Sequence, residues 1–246
     1  AASIATEITV LYIALSAICG ISYWLIGLSS FDSLVHSMST IATGGFSSRS
    51  DSLGGFNNVN LETIAIIFMI ISSLPFVLYL KAIRGRPADI IKDQQVRGFF
   101  KTLFIASIAV ISYLIIFKDF VSFDAIRYSL FNVTSILTGT GFVTAEYDMW
   151  GTPIILVFLF ITFIGGCAGS TTCGIKIFRL QIIYYNSKET IGKLISPNRV
   201  INKKYNGEHI SQEITQSVIT FLFIFIVTFI VLSVLLSFTG LDLITS

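Results

Sequence analysis

The chain has 246 residues, 54% of them hydrophobic and only 12% charged, with a formal net charge of +2. Soluble globular chains carry about 25% charged residues, so this composition excludes an ordinary soluble domain. Two His and three Cys at spacings that match no zinc pattern also leave little for a metal centre or a disulfide framework.

A helix that crosses a bilayer needs about 20 mostly apolar residues at 1.5 Å each. Residues 8–28 form the first such stretch. It is too long for a secretory leader, and no small-residue cleavage site follows it. Residues 31–42 are next, a short segment that ends in Thr43-Gly44-Gly45-Phe46. Residues 61–80 form a second span, with Pro75 as a kink near its end. A basic linker at 81–99 follows, then a span at 100–117, a second short segment at 125–137, and the sequence Thr138-Gly139-Thr140-Gly141-Phe142. Residues 151–165 begin a further span, interrupted by four glycines before an apolar stretch at 175–185. A polar linker at 186–214 leads to a last span at 217–238.

The two halves are related by a constant offset of 96 residues. Ser33 falls on Ser129, Leu34 on Leu130, Ser39 on Ser135, Gly45-Phe46 on Gly141-Phe142, and His36 on Asn132. At 1.5 Å per residue the short segments reach about 18–20 Å, too little to cross about 30 Å of hydrocarbon. They must enter and return, and irregular backbone at that depth is tolerated only inside protein or against water. The expected organisation is an all-α membrane protein of tandem helix–pore-loop–helix repeats: one repeat at 1–80, a second at 100–185, and the first helix of a further, truncated repeat at 215–246. Gly240-Leu241-Asp242 resembles the Gly27-Leu28 turn, and the chain reads as an interior fragment of a longer repeat protein.

Charge sets the expected orientation. Lys81, Arg84, Arg86, Lys92, Arg97 and Lys101 surround one linker, and Lys176, Arg179, Lys188, Lys193, Arg199, Lys203 and Lys204 the other. The opposite side holds Arg49, Lys118 and Arg127. Thirteen basic residues against three put the first group in the cytoplasm and both glycine loops outside. Beside membrane helices this basic character marks topology rather than nucleic-acid binding.

The loops suit an alkali cation, which exchanges hydration oxygens for backbone carbonyls. Glycine supplies the positive φ that turns successive carbonyls together. Thr43, Thr138 and Thr140 add hydroxyls, Phe46 and Phe142 wedge the loops against neighbouring helices, and each short helix aims its negative C-terminal end at the cation. His36 and Asn132 read as helix-packing hydrogen bonds, and Cys19, Cys167 and Cys173 as small buried hydrophobes. The break at Gly165 and Gly166 is favoured because each interior glycine costs a helix about 1 kcal/mol. Ser170, Thr171 and Thr172 are placed to bond the freed backbone, while Lys176 either snorkels or repels cations. An intramembrane enzyme needs a nucleophile with a base or metal ligands, and His209 lies far from Ser170 along the chain, so no catalytic residue is assigned. A proton-coupled carrier would need buried carboxylates, which the span centres lack.

The runs Ser39 to Ser47 and Thr138 to Tyr147 resemble the second and third pore loops of the Trk/Ktr/HKT potassium-transporter superfamily, most closely its TrkH branch. The run Gly165-Gly166-Cys167-Ala168-Gly169-Ser170-Thr171-Thr172-Cys173-Gly174-Ile175-Lys176 resembles the interrupted second helix of the third repeat in that family. Gly139 departs from a more usual threonine, and Cys173 from a frequent glycine. The resemblance implies four repeats around one pseudo-fourfold pore in a bacterial inner membrane. It assigns potassium coordination to the carbonyls of Thr43, Gly44, Thr138 and Gly139, and an intramembrane gate to Gly165, Gly166, Cys167, Ala168, Gly169, Ser170, Thr171, Thr172 and Lys176. It further implies no tightly bound cofactor, a cytoplasmic nucleotide-binding regulatory subunit, and a homodimer when full length. A sodium-coupled secondary cation transporter and an inactive remnant of a potassium transporter are the alternatives.

Overall fold

A computed structural model describes residues 2–196 and 204–240. The expectations placed on Arg199, Lys203, Leu241 and Asp242 lie outside these residues. The helices are, in order, α1 (Ala2–Leu25), α2 (Ser30–Ile41), α3 (Val59–Ser73), α4 (Phe76–Ile83), α5 (Ala88–Lys92), α6 (Gln94–Phe117), α7 (Ser122–Leu137), α8 (Thr152–Phe163), α9 (Ile177–Ile195) and α10 (Gln212–Ser237). Polar side chains start several of them. Ser29 accepts from the Asp32 N–H, Asn58 from those of Asn60 and Leu61, and Asp93 from those of Gln95 and Val96. Each such cap is worth about 1 kcal/mol.

The chain divides into two compact units, Ala1–Phe178 and Arg179–Ser246. In the first, α1 packs on the short α2, and α6 packs on the short α7 in the same way. The two halves join where α3 lies against α7. Phe131 and Phe142 of the second half are buried in the cluster that Cys19, Tyr23, Leu61, Phe68 and Met69 form in the first. Between membrane helices such contacts hold by close packing rather than by exclusion of water.

α1, α6 and α10 are each long and apolar enough to cross a bilayer. The span expected at 61–80 is instead two helices, α3 and α4, bent by 91°. Pro75 has no N–H to continue the ladder, and the residue before a proline is driven to extended backbone; Leu74 obeys at φ −91°, ψ 156°. The apolar run hides the break because both arms are hydrophobic. Residues 151–165 give only the twelve-residue α8. Irregular chain follows it, pinched where Ile164 and Ile175 form a parallel bridge.

The second unit holds most of α9, together with α10 and a hairpin that pairs β1 (Lys204–Tyr205) with β2 (Glu208–His209). Its turn is Asn206-Gly207 at φ +48° and +89°, the pair of left-handed residues a two-residue hairpin requires. α9 runs through Ile195 into the stretch expected to be a polar linker. Within this unit Arg179 lies 3.8 Å above the Phe221 ring.

Candidate functional site

The loops that follow α2 and α7 repeat three backbone hydrogen bonds at equivalent positions, and the second adds Gly141 N–H and the Ser135 hydroxyl to the pattern. The N–H groups of Ala42, Thr43 and Gly44 donate to the carbonyls of Met38, Thr40 and Ser39 at 2.9, 3.1 and 2.8 Å. Those of Thr138, Gly139 and Thr140 donate to Thr134, Ile136 and Ser135 at 2.9, 3.0 and 2.9 Å, the same positions 96 residues on. The backbone matches too. Thr43 and Gly45 have φ of +51° and +69°, Gly139 and Gly141 have +69° and +84°, and the intervening Gly44 and Thr140 stay outside that region. Donors are thus folded back onto the helix. Among the described residues no hydrogen bond reaches the carbonyls of Thr43, Gly44, Gly45, Thr138, Gly139 or Thr140.

The loops also touch each other. A Cβ built on Gly45 would collide with the Thr140 carbonyl oxygen, so only glycine allows this approach. The Thr138 and Thr140 hydroxyls bond one another at 2.7 Å.

Pore-helix side chains hold the strands that leave the loops. His36 Nδ1 faces the Asp32 carbonyl at 2.7 Å, so that nitrogen carries the proton, and Nε2 accepts from the Ser47 hydroxyl at 2.9 Å. Asn132 repeats the arrangement, donating to the Tyr128 carbonyl at 2.9 Å and to Thr144 Oγ1 at 3.1 Å. Both side chains span helix and loop exit, which is more than helix packing. At the head of α2, hydroxyls of Ser48 and Ser29 donate to Asp32 and hold its carboxyl below the usual range. Phe142 is 1% exposed and tilts against His36 at 6.1 Å. Phe46 is 77% exposed and wedges against no helix among the described residues. Phe142 reaches back into the half before its own, and Phe46 has no such half before it in these residues.

Both second helices break, α3 after Ser73 and α8 already after Phe163, the equivalent of Ile67, and the two breaks mend each other. Leu74 is 96 residues before Ser170, and the segment from Gly165 to Lys176 docks on the α3–α4 break. Cys167 N–H donates to Ser73 O at 2.9 Å, Thr171 N–H and Oγ1 to Ser72 O at 3.3 and 3.2 Å, and Phe76 N–H to Gly169 O at 2.9 Å. Backbone groups freed at membrane depth need such partners. Inside the loop, the Thr172 hydroxyl accepts from Gly166 N–H at 3.0 Å, and the Ser170 hydroxyl lies 2.8 Å from it. Lys176 Nζ donates to both the carbonyl and the hydroxyl of Thr172, so it neither snorkels away nor points free. Gln95, at the start of α6, accepts from Ala168 N–H at 2.7 Å and ties the basic linker to the loop. The loop reaches the first glycine loop as well, where the Thr43 hydroxyl shares its one proton between Ala42 O at 2.7 Å and Thr171 O at 3.2 Å.

Cys19 and Cys167 are buried as expected, whereas Cys173 is exposed. It sits on the loop facing Gly139, where no helix covers it.

Two charged residues escaped the sequence reading. Arg127 on α7 donates from Nε and Nη2 to the two Glu62 oxygens, both at 2.7 Å. Their side chains are 14% and 3% exposed, and the pair bolts α3 to α7. A signal existed, since each is a lone charge at the edge of an apolar segment whose equivalent (Phe158 for Glu62, Phe31 for Arg127) is apolar.

The sequence profile of TrkH, a cation transport protein, matches residues 2–246. The Trk system potassium uptake protein TrkI of Halomonas elongata is 33% identical over 237 residues, which cover 96% of this chain and 48% of that protein. TrkG of Escherichia coli is 34% identical over 199 residues, covering 80% and 41%. The crystal structure of the potassium transporter TrkH from Vibrio parahaemolyticus superposes with a TM-score of 0.93 at 31% identity, covering 98% of this chain and 52% of that one. The chain spans about half the length of the relatives it matches.

Proposed function

Because this chain belongs to the TrkH family of cation transport proteins, and is therefore a multi-pass membrane protein, we propose that its two glycine loops are filter segments of a potassium uptake pore. The observation that supports this best is the set of donor-free carbonyls on Thr43, Gly44, Gly45, Thr138, Gly139 and Thr140, built twice by one hydrogen-bond pattern. A potassium ion entering from outside exchanges water for these oxygens, which bind without a fixed charge that would trap it. The C-terminal ends of α2 and α7 contribute roughly half a negative charge each toward the same place. Glycine at 45 and 141 holds the left-handed turns at little cost. In the whole protein, further loops of the same kind would complete the ring.

The segment from Gly165 to Lys176 then acts as a gate beneath the filter. It contacts both filter loops, and the Lys176 ammonium bonded to Thr172 places a fixed positive charge on it. Flow requires the loop to move. The Gln95 bond to Ala168 supports a route by which a nucleotide-binding subunit, docked on the basic cytoplasmic linker, would shift it. Assembly as a homodimer belongs to the same reading and rests on the family alone.

The test is rubidium influx, with sodium as competitor, in a potassium-uptake-deficient host that expresses the intact protein. Growth at low potassium with rubidium influx above background is the expected result. No influx from a correctly inserted protein would reject the reading.

A further inference from the structure

The filter segments differ at Ala42/Thr138, Thr43/Gly139 and Gly44/Thr140, and the middle difference has a partner below it. Thr43 and Gly139 are equivalent in the repeat and share a left-handed backbone, at φ +51° and +69°. A β-branched residue rarely adopts that conformation, and it persists where its surroundings over-determine it. Thr43 has such surroundings: its hydroxyl lies 2.7 Å from the Ala42 carbonyl and 3.2 Å from the Thr171 carbonyl of the loop beneath. At the second filter the loop presents a side chain instead. A Cβ on Gly139 would lie 3.5 Å from Cys173 Cβ and 3.6 Å from Cys173 N. That is ordinary van der Waals contact, so a Cβ fits and atoms beyond it would compete with Cys173 for the remaining room. The loop comes from one half only, so the two equivalent positions meet different parts of it.

From this we infer that the loop is seated on the filter by two unlike contacts, a hydrogen bond at Thr43 and a steric fit of Gly139 to Cys173. Thr43 is a positioning residue for the gate, and Gly139 is the clearance that Cys173 requires. The inference rests on reading residues 165–176 as the gate. Its consequence is coupling: displacing the loop leaves the Thr43 hydroxyl bonded to Ala42 O alone and removes one constraint on a strained filter residue, so loop position and filter shape change together.

The intact protein in inside-out vesicles tests this through two readouts, rubidium flux and the rate at which a cationic methanethiosulfonate modifies Cys173. Thr43→Val removes the hydroxyl at constant shape, while Thr43→Ser keeps it. The valine variant should accelerate Cys173 modification severalfold and the serine variant should match wild type. Gly139→Thr should raise rubidium flux, and Cys173→Gly in the same chain should return it toward wild type. Thiol modification reports loop position whether or not the loop gates. If shortening residues 166–172 leaves flux unchanged, the gate reading fails while the seat is still decided by Thr43→Val. Equal modification rates in the valine and serine variants, or a Gly139→Thr effect that persists after Cys173→Gly, would overturn the seat. Rates are compared only among variants that purify with the wild-type elution profile, and the Gly139/Cys173 cycle decides alone if Thr43→Val does not.

Discussion

Arg127 grips both carboxylate oxygens of Glu62 at 2.7 Å, across the junction between the two halves of the chain. Breaking a buried pair leaves one charge uncompensated, typically at 3–5 kcal/mol, whereas replacing both partners by apolar groups is often neutral. Arg127→Met should therefore destabilise the intact protein by about 3 kcal/mol, read as a lower thermal midpoint in detergent. Glu62→Leu combined with Arg127→Leu should recover most of that loss. Equal midpoints for the single and double variants would mean that the pair does not hold the junction.

The repeat makes a second prediction. His36 and Asn132 each bond the carbonyl four residues back and a hydroxyl on the segment that leaves the glycine loop, Ser47 or Thr144. His36→Asn should keep the potassium preference over sodium, and His36→Leu should reduce it by leaving the Ser47 hydroxyl and the Asp32 carbonyl without this partner. Rubidium and sodium fluxes measured side by side distinguish the cases. Equal loss in both variants would show that imidazole itself, not the shared bonding role, is required.

How far the sequence carried this account depends on what kind of signal each feature left. The paired loops were legible because glycine and threonine recur at a fixed offset, and left-handed turns restrict which residues can stand there. Their repeated backbone hydrogen bonds needed coordinates. The α3–α4 break was half legible: Pro75 marked it, but apolar residues on both arms concealed a 91° turn. Glu62 and Arg127 each stood out as a lone charge, but they were illegible as a pair, because they lie 65 positions apart and no periodic signal links them. Cys173 was misjudged because an apolar neighbourhood in sequence says nothing of an irregular loop that leaves its side chain exposed.

Loop length offers a third prediction. The segment is held at Ser72, Ser73, Phe76, Gln95 and Thr43, so removing residues 166–172 while keeping Gly165 and Lys176 deletes the proposed gate and several anchors together. Rubidium flux per molecule of inserted protein should rise. Wild-type protein levels with unchanged or lower flux would make the segment a structural break and not a gate.

Potassium selectivity in Gly45→Ser and Gly141→Ser, made separately in the intact protein, tests the central claim most directly. Both residues have left-handed backbone, which costs a non-glycine residue about 1–2 kcal/mol. At Gly45 the new Cβ also runs into the Thr140 carbonyl, whereas at Gly141 nothing lies within 4 Å. The rubidium-to-sodium flux ratio should therefore fall in both variants. The fall should be about tenfold where about 1.4 kcal/mol is lost from the ion-occupied filter, and larger at Gly45. Wild-type ratios in both variants would contradict the account and take these loops out of the ion path.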